Sequence, residues 1–365
     1  MVLLYIFSAI ALINCVYYLL FFSKFSFLKI SGKNTSEKYP VSLIICAKNE
    51  AENLKKNIPL WQKQHYPNFE IILINDASVD ETLVIMESFA EKDPRIQIVN
   101  VKNNEAFWAN KKYALTLGIK RAKNTRLVFT DADCYPASSE WLAIMASKFS
   151  DEKQLVLGYG AYEKSPGFLN KLIRFETLMT AVQYFSYAKV GNPYMGVGRN
   201  LAYTSTLYYE NNGFMSHIKI PSGDDDLFVN EAATSKNVAI CIEPEAFTYS
   251  FPKKDKKKWL IQKKRHYSTA KLYKAKHRFL LVVYYSCNLL FWLLAPISLC
   301  TNFWAFGLSI IFIRIVFQYL IIGNAAKKLK EQDLIPFIPF YELFLIFTQL
   351  SIFISNSSEK NSRWK

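Results

Sequence analysis

The sequence predicts an α/β domain with a mostly parallel sheet, carried between membrane helices at its N- and C-terminal ends. Three observations predict it. Short apolar runs alternate with amphipathic stretches from Pro40 to about Pro252, a β-α-β-α pattern that calls for a parallel sheet flanked by helices. Apolar residues make up 51% of the 365-residue chain, with 28 Phe and 22 Tyr, and they concentrate at the two ends. Acidic residues recur just past the apolar runs, where open α/β sheets bind their ligands.

Residues 1–22 are uncharged and apolar, long enough to cross a bilayer as a helix. A cleaved signal is the competing reading, but no basic segment precedes this run and no small-x-small site follows it. Lys24, Lys29, Lys33 and Lys38 lie in a basic linker, 23–40, which places the next region on the cytoplasmic side by the positive-inside tendency. The α/β domain is expected over 41–250, with strands at 41–46, 70–74, 96–101 and 126–130 and helices at 50–64, 80–91 and 111–122. Asn49, Asp76 and Asp131 then all fall at carboxyl ends of strands. Residues 251–277 are dense in lysine, interleaved with Trp259, Leu260, Ile261, Tyr267, Leu272 and Tyr273, as in a helix lying among lipid headgroups. A membrane region follows over 278–355. Runs at 279–300 and 303–323 are each long enough to span; 335–355, with Pro336, Pro339 and Glu342, spans, re-enters or lies at the surface. Residues 356–365 form a basic tail.

The formal charge of +15 has three outlets: nucleic acid, anionic lipid, or a phosphorylated substrate. Apolar spans and the lack of a zinc-finger or RNA-binding signature argue against nucleic acid. The six cysteines form no Cys-x-x-Cys pair, which excludes a disulfide scaffold or a thiolate zinc site. The four histidines are scattered without metal-ligand spacing, so histidine-based metal chemistry is excluded too.

Four charged clusters carry the chemistry: Asp76 in Ile74-Asn75-Asp76-Ala77-Ser78, Asp131-Ala132-Asp133, Asp224-Asp225-Asp226, and Gln262-Lys263-Lys264-Arg265. Two carboxylates one residue apart, straight after Leu127-Val128-Phe129-Thr130, suit a hard divalent cation that shares its ligands with a diphosphate. A later acidic cluster supplies a base, and a late arginine suits a phosphate leaving group. In this order and spacing the motifs resemble those of the family 2 glycosyltransferases, in the membrane-integrated branch of the cellulose, hyaluronan and ceramide glucosyl synthases. Val41 to Glu50, ending Ala47-Lys48-Asn49-Glu50, is similar to that family's opening strand and Asn-Glu turn. Lys111-Lys112-Tyr113-Ala114-Leu115 resembles its Lys-x-x-Ala-Leu helix start, and Gly198-Arg199-Asn200-Leu201-Ala202 its Gly-x-Asn-x-Ala segment. Asp131-Ala132-Asp133 is similar to the metal motif, Gly223-Asp224-Asp225-Asp226-Leu227 to the acidic base motif, and Gln262-x-x-Arg265 to four positions of Gln-x-x-Arg-Trp. The resemblance covers roughly residues 41–266. It departs at Gly223, where the family has Glu, and at His266, where it has Trp.

The resemblance implies a GT-A nucleotide-diphospho-sugar transferase fold, a nucleotide-sugar donor and Mg²⁺ or Mn²⁺ as cofactor. It makes Asp133 the metal ligand, with Asp131 at the ribose or beside the metal. Asp76 would accept a hydrogen bond from the base, which favours uridine; Ala47 and Glu50 would meet base and ribose, and Lys111 the diphosphate. Inverting transfer needs a base opposite the leaving group. Asp224 takes that place, with Asp225 the alternative one register on, and like-charge repulsion is expected to raise the base's pKa. Asn200 would line the acceptor pocket, while Gln262 and Arg265 would cap the acceptor side and grip the diphosphate. With His266 offering less flat surface than Trp, the expected activity is transfer of one hexose to a lipid or lipid-linked acceptor at the cytoplasmic face of the cell membrane. The alternative is a processive polysaccharide synthase extending a glycan. A transporter with a regulatory domain, or a nonenzymatic module binding membrane lipids, leaves the acidic motifs unexplained.

Overall fold

The computed structural model describes residues 1–29, 39–102 and 111–358; Lys33, Lys38 and the tail from 359 onward lie outside the described residues. The chain divides into two compact units. Among the described residues, one comprises Met1–Lys29, Lys164–Val190 and 253–358; the other is built from 39–102, 111–163 and Gly191–Pro252.

The second unit is the α/β domain. Among the described residues its main sheet has seven strands: β1 (Val41–Ala47), β2 (Phe69–Asp76), β3 (Ile96–Val101), β4 (Arg126–Asp131), β6 (Leu155–Leu157), β8 (Leu201–Thr204) and β9 (Val238–Ile240), in the order β3-β2-β1-β4-β8-β6-β9. β3, β2, β1 and β4 run parallel, and β8 pairs antiparallel with both β4 and β6. A smaller sheet joins β5 (Cys134–Pro136), β10 (Thr248–Ser250) and β7 (Gly160–Tyr162). The central strands are rich in Ile and Leu and buried on both faces, as a parallel sheet between helix layers requires: Leu43, Ile44, Ile45, Ile71, Ile72 and Leu73 are all 0% exposed. Helices Ala51–Gln62 and Thr82–Ala90 seal one face, where Leu54, Ile58, Trp61 and Met86 enter the same core as Trp141 and Leu142. Helix Lys111–Arg121 buries Ala114, Leu115 and Ile119. Gly118 lies so close to the sheet that a Cβ there would come within 2.2 Å of Ile74 Cδ1.

Register decides where the site lies. Cys46 pairs with Ile74 on one side and with Asp131 on the other. The ends of β2 and β4 therefore flank the end of β1 on one rim, and Asp76 and Asp131 share it.

The other unit is helical. Among the described residues, four helices are long and apolar enough to cross a membrane: Val2–Ser26, Ala275–Leu299, Trp304–Lys328 and Gln332–Ser355. The last keeps its prolines at its start. Pro336 lies in the 3₁₀ turn Gln332–Phe337, and Pro339 in the first turn of helix Ile338–Ser358, where a missing N–H costs no intrahelical bond. Helix Phe168–Lys189 buries Arg174, which donates to Glu331 Oε2 (2.9 Å) and Asp333 Oδ2 (2.8 Å), and Glu176, which pairs with Lys263 of helix Lys256–Thr269.

Candidate active site

The rim of the sheet begins with two linked turns. Asn49, two residues past the end of β1, and Ala77, directly after β2, adopt φ of 57° and 49°, the left-handed region that non-glycine residues rarely occupy. Their turns hold each other: Asn49 N–H donates to Ser78 Oγ (3.0 Å), Val79 N–H to Asn49 Oδ1 (2.9 Å), and Glu50 N–H to Thr82 Oγ1 (2.8 Å). Glu50 also accepts from Asn53 Nδ2 (2.5 Å), and Ala47 is buried at the end of β1 opposite Asn75. Asp76 closes β2 with Lys48 Nζ 4.0 Å away. Burial raises its pKa, against the pull of Lys48 and Lys111.

Lys111 joins two of the acidic clusters. Its ammonium lies 2.8 Å from Asp131 Oδ1 and 2.9 Å from Asp224 Oδ2. These groups, with Cys46, Gly198 and Asp225, line one pocket at the rim. Burial disfavours the Lys111 charge, but the two carboxylates outweigh that and hold its pKa well above the ordinary value. Burial would likewise lift Asp224; Lys111 overcomes it and holds that carboxyl below the usual range.

The expected rise in pKa therefore falls on the neighbour. Burial, followed by repulsion from Asp224 and Asp226, pushes Asp225 up to about 7. Both Asp225 oxygens are already engaged: Oδ2 accepts from Gly198 N–H (2.7 Å) and Oδ1 from Asp226 N–H (2.8 Å), so Asp225 caps helix Asp226–Ala232. Asp224 is the carboxylate at Lys111, and Asp225 is the brace behind it.

Asp131, Asp133 and Cys134 bring one ligand atom each to within 4.8 Å of one another. Burial pushes the Cys134 thiol well above its ordinary pKa, and its Sγ lies 3.5 Å from Asp133 Oδ1. The two carboxylates of the cluster fit a hard, oxygen-preferring cation such as Mg²⁺ or Mn²⁺.

Asn200 corrects the expectation of an acceptor contact. It is 0% exposed; its Nδ2 donates to Tyr159 O (3.0 Å) and Ala246 O (2.8 Å), and its Oδ1 accepts from Trp141 Nε1 (3.0 Å). With both ends of the amide used in the core, it ties the entry of β8 to its neighbours. Its own neighbour Arg199 donates to Ala161 O (3.1 Å) and Ser250 Oγ (3.2 Å) and lies over the Tyr162 ring.

Gln262, Arg265 and His266 lie on helix Lys256–Thr269 of the helical unit, where Arg265 and His266 are exposed. Residues 262, 265 and 266 share one side of that helix at i, i+3 and i+4. Two groups escaped sequence reasoning. The Gly198 N–H had no signal in a glycine's letter, and Lys112, 1% exposed with its ammonium on three backbone carbonyls, reads in sequence like its twin Lys111.

The sequence model of glycosyl transferase family 2 matches residues 42–204. The glycosyltransferase EpsJ of Bacillus subtilis is 29% identical over 126 residues, 34% of this chain and 35% of its own. A cholesterol galactosyltransferase of Borreliella burgdorferi is 36% identical over 96 residues, 26% of this chain and 25% of its own. The chain spans less than half the length of the first curated relatives it matches. A mannosyltransferase of Pyrobaculum calidifontis, solved with GDP-Man and Mn²⁺, superposes with a TM-score of 0.57 at 16% identity, over 93% of this chain and 99% of that one. At that identity the likeness establishes the fold: a GT-A-type α/β domain with accompanying helices.

Proposed function

Residues 42–204 are a glycosyl transferase family 2 domain, and from that premise we propose that the chain is an inverting glycosyltransferase. In this reading it moves a hexose from a nucleoside-diphosphate donor to a lipid or lipid-linked acceptor at the cytoplasmic membrane face. One observation carries the reading: a single lysine ammonium spans the carboxylate of the Asp131-Ala132-Asp133 pair and the carboxylate of Asp224, at 2.8 and 2.9 Å. A diphosphate held by the pair and a hydroxyl held by Asp224 would then meet within one side chain's reach.

Asp133 and Asp131 would hold a divalent cation, whose chemistry there would be to neutralise charge on the departing diphosphate. Lys111 exchanges its carboxylate partners for diphosphate oxygens. Asp76 accepts the base N–H, with Ala47 and Glu50 beside base and ribose; uridine suits that contact. Asp224 takes the proton of the acceptor hydroxyl as the oxygen attacks the anomeric carbon. A C–O glycosidic bond forms with inversion, the C–O bond to phosphate breaks, and the nucleoside diphosphate leaves. By the resemblance alone, Gln262 and Arg265 would serve the acceptor side and the leaving diphosphate, and His266 occupies the sequence position of the family's Trp.

A lipid acceptor is supported by four candidate spans and by a relative whose name specifies cholesterol as its acceptor. Membranes carrying the full chain and incubated with labelled nucleotide sugar should yield one organic-extractable product of a single size. A ladder of polymer lengths would support the processive synthase instead.

A further inference from the structure

Helix Lys111–Arg121 opens with two lysines that face different partners. Lys111 meets the carboxylates. Lys112 is 1% exposed, and its Nζ donates to His217 O (2.8 Å), Ile220 O (2.7 Å) and Ser222 O (2.6 Å). An ammonium has three donors and no acceptor capacity, so these three carbonyls saturate it. Burying such a charge is costly without full pairing. Here neutral carbonyls supply that pairing, and all three belong to one loop.

That loop leads directly to the acidic cluster. Gly223 follows Ser222 with φ of 98°, a conformation glycine adopts without penalty, and a Cβ there would come within 2.4 Å of Leu227 Cδ1. Asp224 comes next and reaches Lys111 at 2.9 Å. Asp225 is fixed by the Gly198 and Asp226 amides. The lysine helix is itself held against the sheet by Ala114, Leu115 and Ile119 and by the tight approach of Gly118 to Ile74. One rigid element thus grips the acidic segment twice, by its backbone at residues 217–222 and by its side chain at Asp224.

We propose that Lys112 is a positioning residue for the transfer step: its ammonium anchors the carbonyls of residues 217–222 so that the turn at Gly223 presents Asp224 to the acceptor hydroxyl. The inference rests on the reading of Asp224 as base. Gly223, where the resembling family carries Glu, makes sense on the same geometry. The chain needs a left-handed turn there, and the charge that anchors the segment comes from Lys112 beneath it.

Removing the ammonium should misplace the base without disturbing the donor site. In purified full-length chain, Lys112→Met and Lys112→Ala should lower kcat by about tenfold to a hundredfold, the cost of a misplacement near 1 Å, with donor KM and nucleotide affinity unchanged. Propylammonium replaces the atoms lost in Lys112→Ala and should restore part of its turnover. Propanol should not, nor should propylammonium rescue Lys112→Met, whose side chain fills the space. Wild-type turnover in Lys112→Met would overturn the proposal. So would loss of nucleotide binding in parallel with activity in both variants without amine rescue, the mark of general damage to the fold. Asp224→Asn separates this inference from its premise: an inactive Asp224→Asn beside a normal Lys112→Met removes only the positioning role, whereas an active Asp224→Asn removes the base assignment itself.

Discussion

Lys111 lies where two carboxylates come within reach of one cation. In the proposed reading Asp131 belongs to the donor side and Asp224 to the acceptor side, and Lys111 contacts them at 2.8 and 2.9 Å. The expectation of a raised base pKa met a structure in which Lys111 lowers Asp224 and burial with repulsion raises Asp225 instead. A donor diphosphate that draws Lys111 away would release Asp224 from that hold as the acceptor arrives. Asp224→Asn keeps the shape of the side chain and removes the proton acceptor. Its turnover should fall by about 10²-fold or more, with nucleotide affinity unchanged in a fluorescence displacement titration. The types and order of these residues were legible in the sequence. The carboxylate that Lys111 holds was not, because a pKa depends on which charges the fold brings within about 4 Å of one another.

At the scale of elements, the strand-helix alternation was legible because a parallel sheet buried on both faces writes itself as apolar runs of fixed length. β3 falls at 96–101 as read, and helix Ala51–Gln62 lies inside the expected 50–64. The short strands β5 to β10 were not legible. At three or four residues each they have too little periodicity, and their pairing is set by long-range contacts. Asn200 shows the consequence. Its motif resembles an acceptor-pocket segment, yet the side chain fastens β8 to the core through Trp141, Tyr159 and Ala246. Gly158 matches it, since a Cβ there would come within 2.5 Å of the amide carbon. Asn200→Ala takes the partner from the Trp141 Nε1 donor and from the Ala246 carbonyl, while Tyr159 O keeps Thr248 N–H at 3.2 Å. It should cost about 2–4 kcal/mol, read as a lowered midpoint in thermal or denaturant unfolding; a change of a few tenths would mean that water replaces the amide.

At the scale of the whole molecule, the helical unit carries a polar knot inside apolar helices. Arg314 is 0% exposed; it donates to Glu342 (2.8 Å), Asn288 Oδ1 (2.7 Å) and Gln318 Oε1 (2.9 Å), and Trp292 Nε1 donates to Glu342 (2.8 Å). These residues come from three of the candidate spans, and the sequence showed the charges without their pairing. Arg314→Leu alone should destabilise the detergent-solubilised chain by about 3–5 kcal/mol, because it strands a buried carboxylate, while Arg314→Leu with Glu342→Leu should cost much less. Equal losses in single and double variants, by thermal unfolding, would mean the pair does not act as a unit. The two units answer to different chemistry, charge in one and apolar length in the other, and the proposed sugar transfer at a membrane draws on both. The most direct test is nucleoside diphosphate release by the purified full chain with native membrane lipid, across a panel of nucleotide sugars. Release with one donor that stops on chelation, returns with Mg²⁺ or Mn²⁺ and is lost in Asp133→Ala is the predicted result; release indifferent to chelator and intact in Asp133→Ala would contradict it.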